Sequence, residues 1–148
     1  MTAAENKQLM KGLFEELAKG NSRPYLAALS SDFELTVTGQ TPWSGTFKGD
    51  KVREFYAAVW ANYADRYTTM AVNILADGDT VVVESRGCVT TVRGDLYDNQ
   101  YCLIFELKNG KILSQREYAD TLLVDRVLGR PPWAQAHPAE APKARVGA

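Results

Sequence analysis

Residues 113–121 read Leu-Ser-Gln-Arg-Glu-Tyr-Ala-Asp-Thr, and the interpretation of the whole chain depends on this run. We predict that it forms the last strand, before a short terminal helix. Glutamate is depleted in strands, yet Glu117 stands at its centre. A carboxylate that points inward lies in an apolar environment, where acid and base catalysts are commonly found. One that points outward is a solvated charge, so the direction of Glu117 is the central question.

Size and charge limit the classes of protein and partner. The chain has 148 residues, which predicts one domain. Its 17 basic and 18 acidic residues are mixed and give a net charge of -1. Nucleic acid and anionic membranes are therefore not expected as partners, because both require a basic patch. No segment approaches the roughly 20 apolar residues of a membrane span, and the start of the chain lacks a signal-peptide core. These features predict a cytoplasmic protein.

Histidine and cysteine usage excludes several chemistries. The single histidine, His137, lies in a Pro/Ala-rich stretch, so the folded body cannot contain a histidine-based triad or metal centre. Cys88 and Cys102 form no CxxC pair, which argues against structural zinc, and we expect them to be small core residues. There is also no Gly-rich phosphate loop. The sequence therefore predicts no cofactor and no metal.

Hydrophobic periodicity predicts the order of the elements. Helices are expected at residues 5–19, at a short segment after Ser22, at 50–64 and at 120–128. Strands are expected at 33–38, 67–75, 80–92, 96–108 and 111–118, with a loop at 39–49. The last four strands are joined by short turns, of which the Asn-Gly pair at 109–110 is the strongest hairpin signal.

This order predicts an α+β fold. The expected architecture is a curved antiparallel sheet wrapped on one face by three N-terminal helices, a cone-shaped barrel with a central pocket. Residues 1–129 are predicted to form the domain, and residues 130–148 a mobile tail. An uncovered sheet face carrying Leu107, Ile112 and Tyr118 would favour a homodimer.

Several short stretches together resemble the nuclear-transport-factor-2-like superfamily over residues 5–128. They are Ala-Lys-Gly-Asn at 18–21, Pro-Trp-Ser-Gly at 42–45, Arg-Glu-Phe-Tyr-Ala at 53–57, Asp-Gly-Asp followed by Val-Val-Val-Glu at 77–84, Asn-Gly-Lys-Ile at 109–112, and Glu-Tyr at 117–118. This superfamily contains ketosteroid isomerases, limonene epoxide hydrolases, SnoaL-like polyketide cyclases and members that only bind ligands. The resemblance implies the fold, but one fold hosts many activities.

The sub-families differ in how well their catalytic positions match. The three catalytic groups of ketosteroid isomerases would fall at Leu13, Thr36 and Leu103, none of which can serve, so that activity is rejected. The Asp-Arg-Asp set of limonene epoxide hydrolases resembles Glu117 and Arg86, but its second acid would be Cys88. SnoaL-type cyclases use one acid in the last strand, at a position that matches Glu117.

Strand alternation predicts which side chains face the pocket. If Leu103 points inward, so do Tyr97, Asn99, Tyr101 and Phe105. The matching phases place Val82, Glu84, Arg86, Cys88 and Thr90 inward on the long strand, and Leu113, Gln115 and Glu117 on the last strand. Alternatives stay open for four features: a buried structural Arg86–Glu117 ion pair, strand filling by the two tyrosines, Trp43 as a loop plug, and Asp120 as a helix cap.

The first functional hypothesis is a SnoaL-like small-molecule enzyme. It would perform cofactor-free acid/base chemistry of a cyclase, isomerase or hydrolase type on a hydrophobic substrate bearing a carbonyl or an epoxide. Glu117 would be the acid or base, and Arg86 would stabilise developing negative charge. The predicted substrate-binding residues are Tyr97, Asn99, Tyr101, Trp43, Tyr56, Trp60, Thr36, Cys88 and Leu103. The alternatives are a domain of the same fold that binds a small molecule without turnover, and a dimeric interaction module.

Overall fold

The computed structural model describes residues 1–134, which form four helices and seven strands. The helices are α1 (Ala3–Ala18), α2 (Arg23–Ala28), α3 (Asp50–Trp60) and α4 (Thr121–Val127). The strands are β1 (Leu29–Val37), β2 (Gly45–Lys48), β3 (Thr68–Asp77), β4 (Thr80–Thr90), β5 (Leu96–Tyr97), β6 (Gln100–Lys108) and β7 (Lys111–Ala119). The predicted elements are present in the predicted order. The sequence reading missed β2, within the expected loop, and the break between β5 and β6.

The helix α1 begins two residues earlier than predicted because a capping box starts it. The Thr2 hydroxyl accepts the backbone N–H of Glu5, and the Glu5 carboxylate accepts the backbone N–H of Thr2. The buried side chains Met10, Leu13 and Phe14 follow helical spacing and face the sheet. Within residues 1–134, no helix combines the length and the apolar character that crossing a membrane requires.

The seven strands form one curved, open sheet in the order β2-β1-β7-β6-β4-β3, with β5 paired to β4. The helices pack on its concave face, which confirms the α+β class. The sheet was predicted to be antiparallel throughout, but β1 and β7 run parallel. The first and last strands meet here because the chain returns to the free side of β1 only after α3 and the β3–β6 meander. This pairing brings Val37 beside Glu117.

The predicted inward phase of β6 is confirmed, and that of β4 is wrong. Leu103 and Phe105 are buried on the concave face of β6. On β4 the buried positions are Val81, Val83, Ser85, Gly87 and Val89, so Val82, Glu84, Arg86, Cys88 and Thr90 lie on the convex face. The cross-strand register explains this, because Val83 pairs with Leu103, and directly paired residues share a face. This phase also leaves the charges of Glu84 and Arg86 in water, which avoids their desolvation cost.

A register shift changes the phase of β7 partway along the strand. Ile112 pairs with Leu107, but the next pair is Ser114 with Glu106, so Leu113 is an extra residue in the ladder. Gln115 and Glu117 face inward as predicted, whereas Leu113 does not share their phase and is partly exposed. Leu107 and Ile112, expected on the uncovered face, are buried in the core instead.

The folded body continues past residue 129, where its end was predicted. Pro131 is fully buried, and the Trp133 ring packs edge-on against Trp43, with ring centroids 5.6 Å apart. The Trp133 indole N–H also donates to the Pro42 carbonyl at 3.3 Å. Residues 130–134 are therefore part of the domain. The remainder of the predicted tail, with His137, lies outside the described residues.

Candidate active site

A cavity of about 730 Å³ lies between the concave sheet face and the helices. This volume is in the range of small-molecule sites. Its lining is rich in aromatic side chains: Phe14, Tyr25, Trp43, Phe55, Tyr56, Trp60, Tyr63, Tyr67, Tyr97, Tyr101 and Phe105. Among residues 1–134, only four charged side chains line it, namely Arg23, Asp65, Arg66 and Glu117. The cavity therefore fits a largely apolar molecule and offers it few charged contacts.

Glu117 points into this cavity. Its neighbours across the sheet are Leu103 on β6 and Val37 on β1, so its carboxylate rises from an apolar part of the sheet. No described residue forms an ion pair with it or donates a hydrogen bond to its carboxylate. Burial raises the pKa of Glu117 from 4.5 to about 7, because the ionised form loses its hydration. The group is thus poised to exchange a proton near neutral pH.

Six tyrosines surround the carboxylate. They are Tyr25, Tyr56, Tyr63, Tyr67, Tyr97 and Tyr101. Burial raises the pKa of every one, and the negative charge of Glu117 raises each pKa further. Their hydroxyls therefore keep their protons at neutral pH and can donate hydrogen bonds. The six tyrosines therefore surround the Glu117 carboxylate with neutral hydroxyl groups.

Tyr97 occupies the centre of a hydrogen-bonded group. Its hydroxyl accepts from the Tyr101 hydroxyl at 3.3 Å and from the Asn99 side-chain amide at 3.1 Å. Because the Tyr97 oxygen accepts in both of these bonds, its own hydroxyl proton is still available to donate to a ligand. Tyr97 and Tyr101 both line the cavity, and their role in binding a substrate stays a prediction.

Asn99 was predicted to contact substrate, but it is buried beside the cavity and not on its wall. Its amide donates to Tyr97 and to the Asp120 carbonyl, the latter at 3.2 Å. Its side-chain oxygen accepts the backbone N–H groups of Gln100 and Asp120 at 2.8 and 3.1 Å. All of its hydrogen-bonding capacity toward the protein is used. Asn99 therefore positions Tyr97 and joins β6 to the start of α4.

The predicted apolar walls are in place. Leu103 lies on the cavity floor, and Tyr56 and Trp60 stack one turn apart on α3 with ring centroids 5.5 Å apart. Trp43 lines the cavity and is also tied to the rest of the fold, because its indole N–H donates to the Gly129 carbonyl at 2.7 Å. Trp43 is therefore placed both to line the cavity and to anchor its loop against the core, and its contact with a substrate stays a prediction. The short strand β2 and the Trp133 packing hold its loop in position.

Three predicted site residues lie on the opposite face of the sheet. Arg86 and Cys88 are exposed on the convex side of β4 because of the phase described above. The Thr36 hydroxyl bonds that of Thr46 at 3.2 Å on the same side, while its neighbour Val37 lines the cavity. Arg86 thus contacts neither Glu117 nor the cavity, and the alternative of a buried Arg86–Glu117 ion pair is also wrong.

Several cavity residues were not predicted. Tyr63 and Tyr67 stack with ring centroids 5.5 Å apart, and the Tyr67 hydroxyl lies over Gly87. Ser85 is buried on β4 and its hydroxyl has no partner among the described residues. Gly87, a glycine inside a strand pattern, was the available signal, since it marks a close approach by another group. Asp120, by contrast, accepts the N–H groups of Leu122 and Leu123 and so caps α4, which is the helix-cap role that the sequence analysis left open for it.

Comparison with known proteins agrees with the α+β fold described above. The family model of the SnoaL-like domain matches residues 10–115, so the chain belongs to that family. A comparison with curated proteins gives no match.

Solved structures share the fold at low sequence identity. A protein from a soil-derived mobile gene cassette is 18% identical with a TM-score of 0.73, over 86% of this chain and 98% of its own. A putative SnoaL-like polyketide cyclase from Jannaschia sp. CCS1 is 19% identical with a TM-score of 0.70, over 88% and 96%. TerC, co-crystallized with polyporic acid, is 20% identical with a TM-score of 0.70, over 83% and 97%.

Proposed function

We propose that the protein is a SnoaL-like enzyme that catalyses cofactor-free proton transfer on an apolar substrate with an enolisable carbonyl. The observation that carries this proposal is Glu117, a carboxylate in an aromatic cavity that has no cationic partner among the described residues and a pKa raised to about 7. A base with this pKa is ionised in a useful fraction at neutral pH and is stronger than an exposed glutamate. The family match and the named cyclase among its structural neighbours support the same reading.

The chemistry assigns distinct roles to the acid and the tyrosines. Glu117 removes a proton from the carbon next to the carbonyl, and the C–H electron pair moves to form the enolate. The Tyr97 hydroxyl, which accepts from Tyr101 and keeps its own proton to donate, gives a hydrogen bond to the oxygen on which negative charge develops. Return of the proton from Glu117 to another carbon of the enolate completes an isomerisation. In a cyclisation, the enolate carbon instead bonds to the carbon of a second carbonyl in the substrate, whose C–O π pair moves to oxygen, and the proton on Glu117 passes to the resulting alkoxide. Tyr97 takes the charge-stabilising role that the sequence reading gave to Arg86.

The role of Glu117 as the base can be tested without knowing the natural substrate. Wild-type protein in D₂O should accelerate deuterium exchange at the activated carbon of apolar ketones, with tetralone as the first probe, followed by NMR. Exchange should rise with pH and level off above a midpoint near 7, because only ionised Glu117 accepts a proton. Glu117→Gln should lower exchange about a hundredfold or more, the usual contribution of a general base.

The matched control is Glu84→Gln, which removes a strand glutamate on the exposed convex face. It should leave the exchange rate unchanged. If Glu117→Gln exchanges as fast as the control, Glu117 is not the base.

Ligand binding without turnover is the second candidate. It is favoured by the presence of only one carboxylate deep in the cavity, since binding needs no second acid. Wild-type protein that binds the ketone, detected by quenching of tryptophan fluorescence, but gives no exchange would support this candidate over the enzyme.

A further inference from the structure

Two arginines line the cavity near the turn that follows α1. Arg23 follows the turn between α1 and α2, and Arg66 precedes β3. Both line the cavity and both are solvent-exposed, which places them at its entrance. Gly20 connects them, because a β-carbon there would lie 3.3 Å from the β- and δ-carbons of Arg66. The aliphatic part of Arg66 thus rests on the turn that leads to Arg23.

Hydrogen bonds order the turn at the entrance. The Asn21 N–H and side-chain amide donate to the Glu16 carbonyl and carboxylate, and these bonds fix the turn. Gly20 has a φ of +76°, which a residue with a side chain adopts only at a cost. Neither Arg23 nor Arg66 forms an ion pair within residues 1–134. Both guanidinium groups are therefore available to a ligand.

The entrance and the interior of the cavity differ in net charge. Asp65 also lies at the entrance, where its carboxylate accepts the Arg66 N–H at 2.7 Å. Two arginines and one aspartate leave a formal charge of +1 there. The other charged lining residue is Glu117, whose pKa of about 7 leaves it partly neutral at neutral pH. A molecule that enters meets cationic groups first and aromatic walls beyond them.

We infer that the cavity takes an organic acid: Arg23 and Arg66 hold its carboxylate at the entrance while its apolar, ring-bearing body fills the aromatic interior. Guanidinium groups suit this role because their N–H groups match the two oxygens of a carboxylate. Tyr67 directly follows Arg66 in the chain and stacks with Tyr63, and both tyrosines line the cavity, so aromatic surface adjoins the arginine. The inference rests on the cavity being the ligand site, and not on catalysis by Glu117.

A matched pair of ligands tests this inference. The neutral dye N-phenylnaphthylamine is bound to the full-length protein and then displaced at pH 8 by naphthaleneacetate or by naphthaleneacetamide. The two competitors share ring and length and differ in charge. The acid should bind about threefold to tenfold more tightly than the amide, the range expected for charge-assisted contacts near a surface. High salt should reduce this preference, because salt screens exposed charges.

Variants of the two arginines show whether these residues produce the preference for the acid over the amide. The double variant Arg23→Gln with Arg66→Gln should bind both competitors equally, and Arg66→Lys should keep part of the preference. Arg53→Gln is the control, since Arg53 is an exposed arginine of α3 outside the cavity lining. Near-ultraviolet circular dichroism confirms that each variant is folded. Glu117→Gln should keep the preference, so this inference and the proposed catalytic role can fail separately.

Four results would overturn the inference. The amide could compete as well as the acid, the double variant could keep the preference, or the dye could fail to bind the folded protein. Naphthyl phosphate could also compete more strongly than naphthaleneacetate, which would assign the entrance to phosphate esters instead.

Discussion

At the scale of single residues, Glu117 couples the site to the stability of the fold. Its pKa is raised from 4.5 to about 7 by burial, a difference worth up to about 3 kcal/mol. The folded protein keeps this proton over a pH range in which the unfolded chain has lost it. The contribution therefore favours folding most below pH 4.5, weakens as pH rises through about 7, and is constant above that.

Glu117→Gln should remove this pH dependence. The variant should match wild type near pH 4, because the wild-type carboxyl is then neutral in both states. At pH 8 it should be more stable by up to about 3 kcal/mol, since it buries no charge. Urea unfolding from pH 4 to pH 8 measures the difference. Glu84→Gln, a change on the exposed face, should not alter the pH dependence of the unfolding free energy. If Glu117→Gln and wild type differed in unfolding free energy by the same amount at every pH, the raised pKa of Glu117 would be contradicted.

Gly87 is the second residue with a specific requirement. A β-carbon at this position would overlap the hydroxyl and ring edge of Tyr67. Gly87→Ala should therefore displace the Tyr67 ring from the cavity wall and cost about 1–3 kcal/mol, as overpacking does. Thermal or urea unfolding measures the cost. In the double variant with Tyr67→Ala the alanine should cost much less, and strictly additive effects would show that the two residues do not interact.

At the scale of elements, the junction of β5, β6 and α4 depends on Asn99. Its side chain makes four hydrogen bonds, two to the backbone of Asp120. Asn99→Ala should lower the free energy of unfolding by about 2–4 kcal/mol, because buried backbone groups lose their partners. It should also weaken dye binding by releasing Tyr97. Gln100→Ala changes an exposed neighbouring side chain and should have little effect. An equal loss of unfolding free energy in the two variants would contradict the role of Asn99 in holding this junction together.

At the scale of the whole molecule, the convex sheet face is the remaining unexplained surface. Val82 pairs with Ile104, and Cys102 pairs with Tyr118, so apolar side chains adjoin one another across β4, β6 and β7, flanked in the same rows by the charged Glu84 and Arg116. Tyr118 is 46% exposed. We expect this patch to join two copies of the chain, because an exposed apolar area on a sheet favours association.

Light scattering over a concentration series checks the expected homodimer. Tyr118→Lys should shift the protein toward monomer by placing an unpaired charge in the interface. Leu122→Lys is the control, because Leu122 is an equally exposed apolar residue on α4. Wild-type protein that is monomeric at high concentration would rule out this interface.

The local patterns in the sequence predicted the elements and part of the site. Alternation placed Leu103, Phe105 and Glu117 on the concave face, and helical spacing placed Tyr56 and Trp60 beside them. These predictions succeeded because each depends on the geometry of one element, in which period two or 3.6 fixes the direction of a side chain. Tyr97 and Tyr101 followed from the same phase.

Only the tertiary structure decided the partners of Glu117. The β4 phase could be read in two ways, because valine stands at 81, 82 and 83 and the strand has no strict alternation there. Pairing of Val83 with Leu103 settled it and moved Arg86 to the convex face. The bulge at Leu113 and the parallel β1–β7 contact are likewise set by strands distant in sequence. The sequence by itself therefore determined an inward carboxylate at 117. Register between strands, a non-local property, surrounded it with tyrosines and gave it no cationic partner within residues 1–134.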